Sequence, residues 1–143
     1  MNLSKYAKAT RVANAAAAGQ TAVNSSSVDM TGFASVEFIV SMGAITTGAV
    51  TSAKLQGSND NAAWADLEDT GQTIAADADN KAFILDVSHP RHKFLRCVVS
   101  RATQDSVVDG ILALQYGSDA EPVSHDATIG GAELHHAPAE GTA

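Results

Sequence analysis

The stretch VEFIVS, residues 36–41, has the clearest strand pattern in this chain. Val36, Phe38 and Val40 alternate with Glu37, Ile39 and Ser41. An alternation with a period of two residues is typical of a β-strand with one buried face. The phase that we expect to be buried consists of Val36, Phe38 and Val40. The segment therefore predicts a strand in the middle of the chain.

Further strand-like segments follow along the chain, separated by roughly 10–15 residues. They are predicted at 50–57, 64–67, 81–87, 93–100 and 107–116, with weaker candidates at 21–28 and 72–74. Asn and Asp at 58–61 fit a hairpin turn, and Gly110 fits a β-bulge. No amphipathic helical pattern lies between these segments. We therefore predict an all-β chain that folds as an antiparallel β-sandwich, jelly-roll-like, of about 7–8 strands.

Charge is distributed unevenly along the 143 residues, whose net charge is −7. Residues 1–28 carry three basic residues and no acidic one, whereas residues 102–143 carry seven acidic residues and no lysine or arginine. The C-terminal part is rich in Gly, Ala and Pro, a composition that cannot bury enough surface to order itself alone. The sequence therefore predicts an extended N-terminal arm at 1–20, a β-sandwich domain at 21–117 and an acidic C-terminal tail at 118–143. We expect the tail to be disordered or laid along a partner.

The sequence contains no motif for catalysis or cofactor binding. It has neither a glycine-rich phosphate-binding pattern nor a nucleophile elbow, and apolar neighbours predict that the single cysteine, Cys97, is buried and inert. Solvated turns or tail are expected around the five histidines, which are His89, His92, His125, His135 and His136. We therefore predict no enzyme activity, no cofactor and no metal site.

Membranes and nucleic acids are not expected partners of this chain. No apolar run approaches the roughly 20 residues that a membrane-spanning helix needs. Aromatic residues make up only 5% of the sequence, which is a poor composition for stacking on single-stranded nucleic acid.

Four residues stand out as candidate contact residues. Lys5, Lys8 and Arg11 make the N-terminal arm basic, which predicts an interface with an acidic partner surface. Trp64 is the only tryptophan and follows the polar turn. Two interpretations of Trp64 stay open: it anchors one end of the sandwich core, or it presents an exposed face to a sugar. The stretch KLQGSNDNAAWADL, residues 54–67, resembles the strand–turn–strand hairpin of discoidin-type carbohydrate-binding modules, which implies the second interpretation.

Three longer segments, residues 28–67, 79–103 and 105–123, resemble small structural proteins of tailed bacteriophages. In their order of strands and turns they are similar to the jelly-roll capsid decoration (cement) proteins of podophages. The resemblance implies a homotrimer that is made in the host cytoplasm. It further implies binding to the major capsid protein on the outer surface of the virion head, which stabilises contacts between capsid subunits. The alternatives are a carbohydrate-binding or receptor-contacting module, and a structural protein of the neck or tail.

Overall fold

The computed structural model describes residues 2–142 of the chain. Within this range a short helix, α1 (Leu3–Tyr6), precedes eleven strands. The strands are β1 (Lys8–Ala13), β2 (Ala16–Gly19), β3 (Val23–Asn24), β4 (Val28–Asp29), β5 (Phe33–Ile45), β6 (Val50–Ser58), β7 (Ala65–Asp66), β8 (Gln72–Ile74), β9 (Ala82–Ser88), β10 (Phe94–Ala102) and β11 (Ser106–Ser118).

The strands form two antiparallel sheets. The five-stranded sheet has the order β1–β11–β5–β9, and β2 also pairs with β11. The six-stranded sheet has the order β3–β10–β6–β7, while β4 pairs with β10 and β8 pairs with β6. The predicted all-β antiparallel sandwich is confirmed, although residues 2–142 form eleven strands and not the expected 7–8, because β1 and β2 come from the N-terminal region and the candidate at 21–28 forms two short strands.

Side chains from both sheets meet in one apolar core. Val36, Phe38 and Val40 of β5 are fully buried, as their alternation predicted. Leu95 and Val99 of β10 contribute from the other sheet and are equally buried. Because neighbouring positions of a strand point to opposite faces, the alternate residues of these strands, such as Glu37, Ile39 and Arg96, lie on the outer faces of the sandwich.

The predicted strands after residue 50 are found within one or two residues of their expected bounds. The bulge at Gly110 is also found, because the register between β11 and β5 shifts between Val108 and Gly110. A Cβ atom at position 110 would lie 3.2 Å from the Ala13 carbonyl oxygen, so a larger residue would crowd β1. The weak candidate at 21–28 is divided into β3 and β4.

The N-terminal region differs from its prediction as an arm outside the sandwich. Residues 8–19 contain β1 and β2, which pair with β11, and Val12 is buried in the core. This alanine-rich segment lacks a run of β-branched residues, so its own sequence does not indicate a strand. It becomes one because the N–H and C=O groups along β11 require partners on that side.

The first part of the C-terminal tail lies along β1 of the same chain. Two of its backbone N–H groups donate to β1 and α1, and two of its side chains accept from β1. The bonds are Val123 N to Lys5 O (2.9 Å), Asp126 N to Ala9 O (3.1 Å), Ala9 N to His125 Nδ1 (3.1 Å) and Arg11 N to Thr128 Oγ1 (2.9 Å). Residues 123–128 therefore cover an edge of the five-stranded sheet that would otherwise be open.

Candidate interaction surfaces

The outer face of the five-stranded sheet carries three apolar side chains side by side. Leu112 of β11 is directly opposite Ile39 of β5, and Ile39 is directly opposite Ile84 of β9. Ile84 is 56% exposed, Leu112 is 41% exposed and Ile39 is partly buried. These three residues, called the apolar row below, form a contiguous apolar surface, and such surfaces mark contact sites more often than scattered apolar residues do.

Charged residues border the apolar row at opposite ends. Arg11 of β1 is opposite Leu112, at the β1 edge of the sheet. Glu37 and Asp86 are opposite each other on β5 and β9. The Tyr116 hydroxyl donates to the Asp86 carboxylate, with O···O distances of 2.7 and 3.0 Å to its two oxygens, and this bond raises the pKa of Tyr116. The face is therefore basic at the β1 edge and acidic toward β9.

A second surface lies on the outer face of the six-stranded sheet, around Trp64. The Arg96 guanidinium carbon is 4.4 Å from the centre of the Trp64 ring, a stacking distance. Arg96 Nε donates to Gln56 Oε1 at 2.8 Å, and Gln56 Nε2 donates to Asp66 Oδ1 at 2.8 Å. Lys54 Nζ donates to the other oxygen of Asp66 at 2.8 Å. These five residues, called the Trp64 cluster below, form one continuous polar network with an aromatic end.

Trp64 is not a core anchor, which corrects one of the two interpretations of the sequence. It belongs neither to the buried core nor to the partly buried side chains packed against that core. Lys54 and Gln56 of β6, Arg96 of β10 and Asp66 of β7 share the outer phase of their strands, and Trp64 immediately precedes β7. Its ring therefore rests on the outside of the sheet.

The loop that leads to Trp64 is ordered by Asp60. The Asp60 carboxylate accepts hydrogen bonds from the backbone N–H groups of Ala63 and Ala62 and from the Ser58 hydroxyl, each at 2.9 Å. These bonds lower the pKa of Asp60 to about 2. The loop also contains Asn61 in the left-handed backbone region, with φ of 58°, which asparagine tolerates better than most residues. The predicted polar turn thus fixes the position of the backbone that leads to Trp64.

The charge pattern of the Trp64 cluster follows from its hydrogen bonds. The bonds from Lys54, and then from Gln56, lower the pKa of Asp66. Both Asp66 oxygens are therefore occupied, whereas Arg96 has donated only its Nε–H group.

The three N-terminal basic residues do not lie together on a free arm. Lys5 belongs to α1 and is exposed, while Lys8 and Arg11 lie on β1. Hydrogen bonds from Thr128 are the main cause of the lowered pKa of Asp126, and hydrogen bonds from Thr31 are the main cause of the lowered pKa of Asp29. The positive charge of Lys8 lowers both pKa values further. Part of the predicted basic character is thus balanced within the chain, and Arg11 points outward beside the apolar row.

The histidines and the cysteine form no obvious chemical centre in residues 2–142. No group of three or more His, Cys, Asp or Glu side chains is placed to hold a metal ion in this part of the chain. The His135 Nε2 atom lies 2.9 Å from Glu133 Oε2 in the exposed tail. Cys97 is fully buried, and burial raises the pKa of its thiol to about 12.

The apolar row and Arg96 were not predicted from the sequence. A signal for the row was present, because Ile39 and Ile84 are apolar residues in the outward, otherwise polar phase of their strands. Arg96 offered no such signal, since its contact with Trp64 depends on how β6, β7 and β10 are paired.

No helix in the described range is long and apolar enough to cross a membrane. A scan against protein-family models gives no match, and no curated protein sequence matches the chain. Among solved structures, the chain is similar to the crystal structure of PBSX exported protein XepA, with a TM-score of 0.53 and 15% sequence identity. The similarity covers 96% of this chain and 45% of the XepA chain, so this chain spans less than half the length of XepA. It identifies a shared fold.

Proposed function

We propose that the protein is a structural component of a bacteriophage particle that acts as a capsid decoration (cement) protein. In this proposal it is a homotrimer on the outer surface of the head. It binds the major capsid protein and strengthens contacts between capsid subunits. It acts by contact and performs no catalysis.

The observation that carries the proposal is the apolar row. Each of its side chains lies on a regular strand. The strands of Leu112 and Ile39, β11 and β5, are hydrogen-bonded to neighbouring strands on both sides, and the strand of Ile84, β9, is bonded on one side. A rigid surface of this kind loses little conformational entropy on binding. We propose that the row lies against the major capsid protein and that Arg11, beside it, pairs with an acidic residue of the shell.

Two further facts support the association with a phage. The chain shares a fold with less than half of the phage PBSX exported protein XepA. In their order of strands and turns, residues 28–67, 79–103 and 105–123 resemble capsid decoration proteins.

The test is binding to empty capsids that lack this protein. We expect the protein to sediment with them and to raise the temperature at which they disassemble. Ile84→Asp and Leu112→Asp should each weaken binding about tenfold or more, because each removes about 1 kcal/mol of apolar burial and adds a carboxylate to the interface.

The matched control is Val50→Asp. Val50 is 62% exposed and lies in the six-stranded sheet, away from the apolar row, so this variant should bind normally. Capsids that neither bind the protein nor gain heat stability from it would refute the proposal. Equal weakening by Val50→Asp would refute the assignment of the surface.

A further inference from the structure

The Trp64 cluster has hydrogen-bonding capacity that the protein does not use. Within residues 2–142, neither terminal nitrogen of Arg96 has a hydrogen-bond partner, and neither does the indole N–H of Trp64. The Arg96 guanidinium is held in place all the same, by its Nε–H bond to Gln56 and by stacking on Trp64. A fixed guanidinium with free terminal N–H groups is the arrangement that grips a carboxylate with two parallel hydrogen bonds.

The charge of the cluster favours an anionic ligand. Arg96 and Lys54 are positive, and Asp66 is the negative member of the cluster. Asp66 is already engaged by Lys54 and Gln56, so it does not need Arg96 as a partner. The cluster is therefore locally basic on a chain whose net charge is −7.

Part of the Trp64 side chain remains exposed. Trp64 is partly buried, and its neighbours Ala62, Ala63 and Ala65 are small and exposed. Arg96 stacks over the ring, so a ligand would contact the part of the indole that is still exposed. An aromatic ring next to fixed polar groups is a combination that can bind the apolar face of a sugar ring and orient its hydroxyl groups.

We propose that the Trp64 cluster is a binding site for a saccharide that carries a carboxylate. The exposed part of the Trp64 ring packs against the sugar, the free terminal N–H groups of Arg96 hold the carboxylate, and Lys54 and Gln56 contact neighbouring hydroxyl groups. The site lies on the opposite sheet from the apolar row, so a capsid-bound protein could keep it exposed. It does not depend on the proposed function.

The experiment uses the purified full-length protein and its own fluorescence. Trp64 is the only tryptophan, so a change in emission reports directly on this site. A titration with galacturonic acid oligosaccharides should give a saturating change. Galactose oligosaccharides of the same length should bind at least about tenfold more weakly, because they lack the carboxylate.

Two variants locate the binding. Arg96→Gln should reduce the affinity for galacturonic acid oligosaccharides to that for the neutral series. Arg91→Gln is the matched control, because Arg91 is exposed in the turn between β9 and β10 and lies outside the cluster, and it should bind normally. Melting temperatures measured in parallel show whether each variant is folded. If Arg96→Gln does not fold, Lys54→Gln provides a second test at the same site.

Four results would overturn the proposal. One is the absence of a saturating signal with these oligosaccharides and with an array of uronic and sialic acid glycans. The second is equal affinity for the acidic and neutral series, and the third is unchanged affinity in both Arg96→Gln and Lys54→Gln. The fourth is equally tight binding of a single-stranded oligonucleotide, which would assign the stacking surface and the basic groups to nucleic acid instead.

Discussion

Arg101 is the residue on which the junction of the two sheets depends. It is 7% exposed, and its guanidinium contacts backbone oxygens rather than a carboxylate. Nε donates to Thr21 O at 2.7 Å, and Nη1 donates to Ala17 O at 2.9 Å and Ser106 O at 2.6 Å. One side chain of β10 thus joins β2, and the segment that follows it, to the start of β11.

Replacement of Arg101 by methionine should therefore be costly. Arg101→Met keeps much of the apolar volume but leaves these three carbonyl groups without their donors. We expect a loss of about 2–4 kcal/mol in the free energy of unfolding, measured by urea denaturation. Arg91→Met, at an exposed position, should change it by less than about 0.5 kcal/mol. Equal effects of the two substitutions would contradict this role of Arg101.

Asp60 gives a prediction about pH. Its folded pKa of about 2 lies below the ordinary value of 3.8, because the N–H groups of Ala63 and Ala62 and the Ser58 hydroxyl donate to the ionised carboxylate. The contribution of these bonds is therefore complete above about pH 4 and is lost as the pH falls through the folded pKa.

The amide N–H signals of Ala62 and Ala63 in NMR spectra should report this loss. We expect them to titrate with a midpoint of about 2. In Asp60→Asn, which has no ionisable group at this position, the same signals should not titrate. A midpoint near 3.8 would mean that the carboxylate is not held by these donors.

For individual side chains, the period-two pattern was the most reliable guide. It predicted the buried phase of β5 and, read on through β10, it places Arg101 in the same inward phase as Leu95 and Val99. The pattern did not predict the hydrogen-bond partners of Arg101. The backbone carbonyl groups of Ala17 and Thr21 come within reach of Arg101 only when the chain folds back on itself.

The tail segment 123–128 is the element whose role the sequence left most open. It was expected to be disordered or to lie along a partner, and the structure places it on β1. Its composition gave no signal for this, because two of the four bonds use side chains, His125 and Thr128, as acceptors for the strand's N–H groups. Such pairing has no hydrophobic periodicity for a sequence pattern to detect.

Truncation tests whether this segment protects the edge of β1. A chain ending at Pro122 loses all four bonds, and we expect it to be less stable by about 1–3 kcal/mol and to self-associate through the open edge. A chain ending at Ile129 keeps the four bonds and serves as the control. Thermal denaturation and light scattering measure the two effects. Identical behaviour of the two truncated chains would show that the segment protects nothing.

At the scale of the whole molecule, the sandwich has two faces of different character. The apolar row lies on the outside of one sheet, and the polar Trp64 cluster lies on the outside of the other. The sequence predicted the sandwich class, because that depends on the number and spacing of strands. It did not predict the faces, because these depend on which strands are neighbours, and β1 pairs with β11 across almost the whole chain.

The proposed homotrimer is a property of the whole molecule and is measured directly. Light scattering coupled to size-exclusion chromatography should give a mass three times that of the 14.7 kDa chain. If the apolar row faces the capsid, Leu112→Asp should leave this mass unchanged while it weakens capsid binding. A monomer at every concentration would contradict the trimer, and a variant that dissociates would assign the row to contacts between copies.

The position of β11 has a consequence for how the protein is made. It is the last strand of the chain, and it lies inside its sheet between β1 and β2 on one flank and β5 on the other. During synthesis these earlier strands cannot complete their sheet until the ribosome has released residue 118. The non-local pairing also makes all-β chains of this kind slow to fold. A message that ends early would therefore yield a product with exposed strand edges, one suited to proteolysis or aggregation rather than to a smaller working domain.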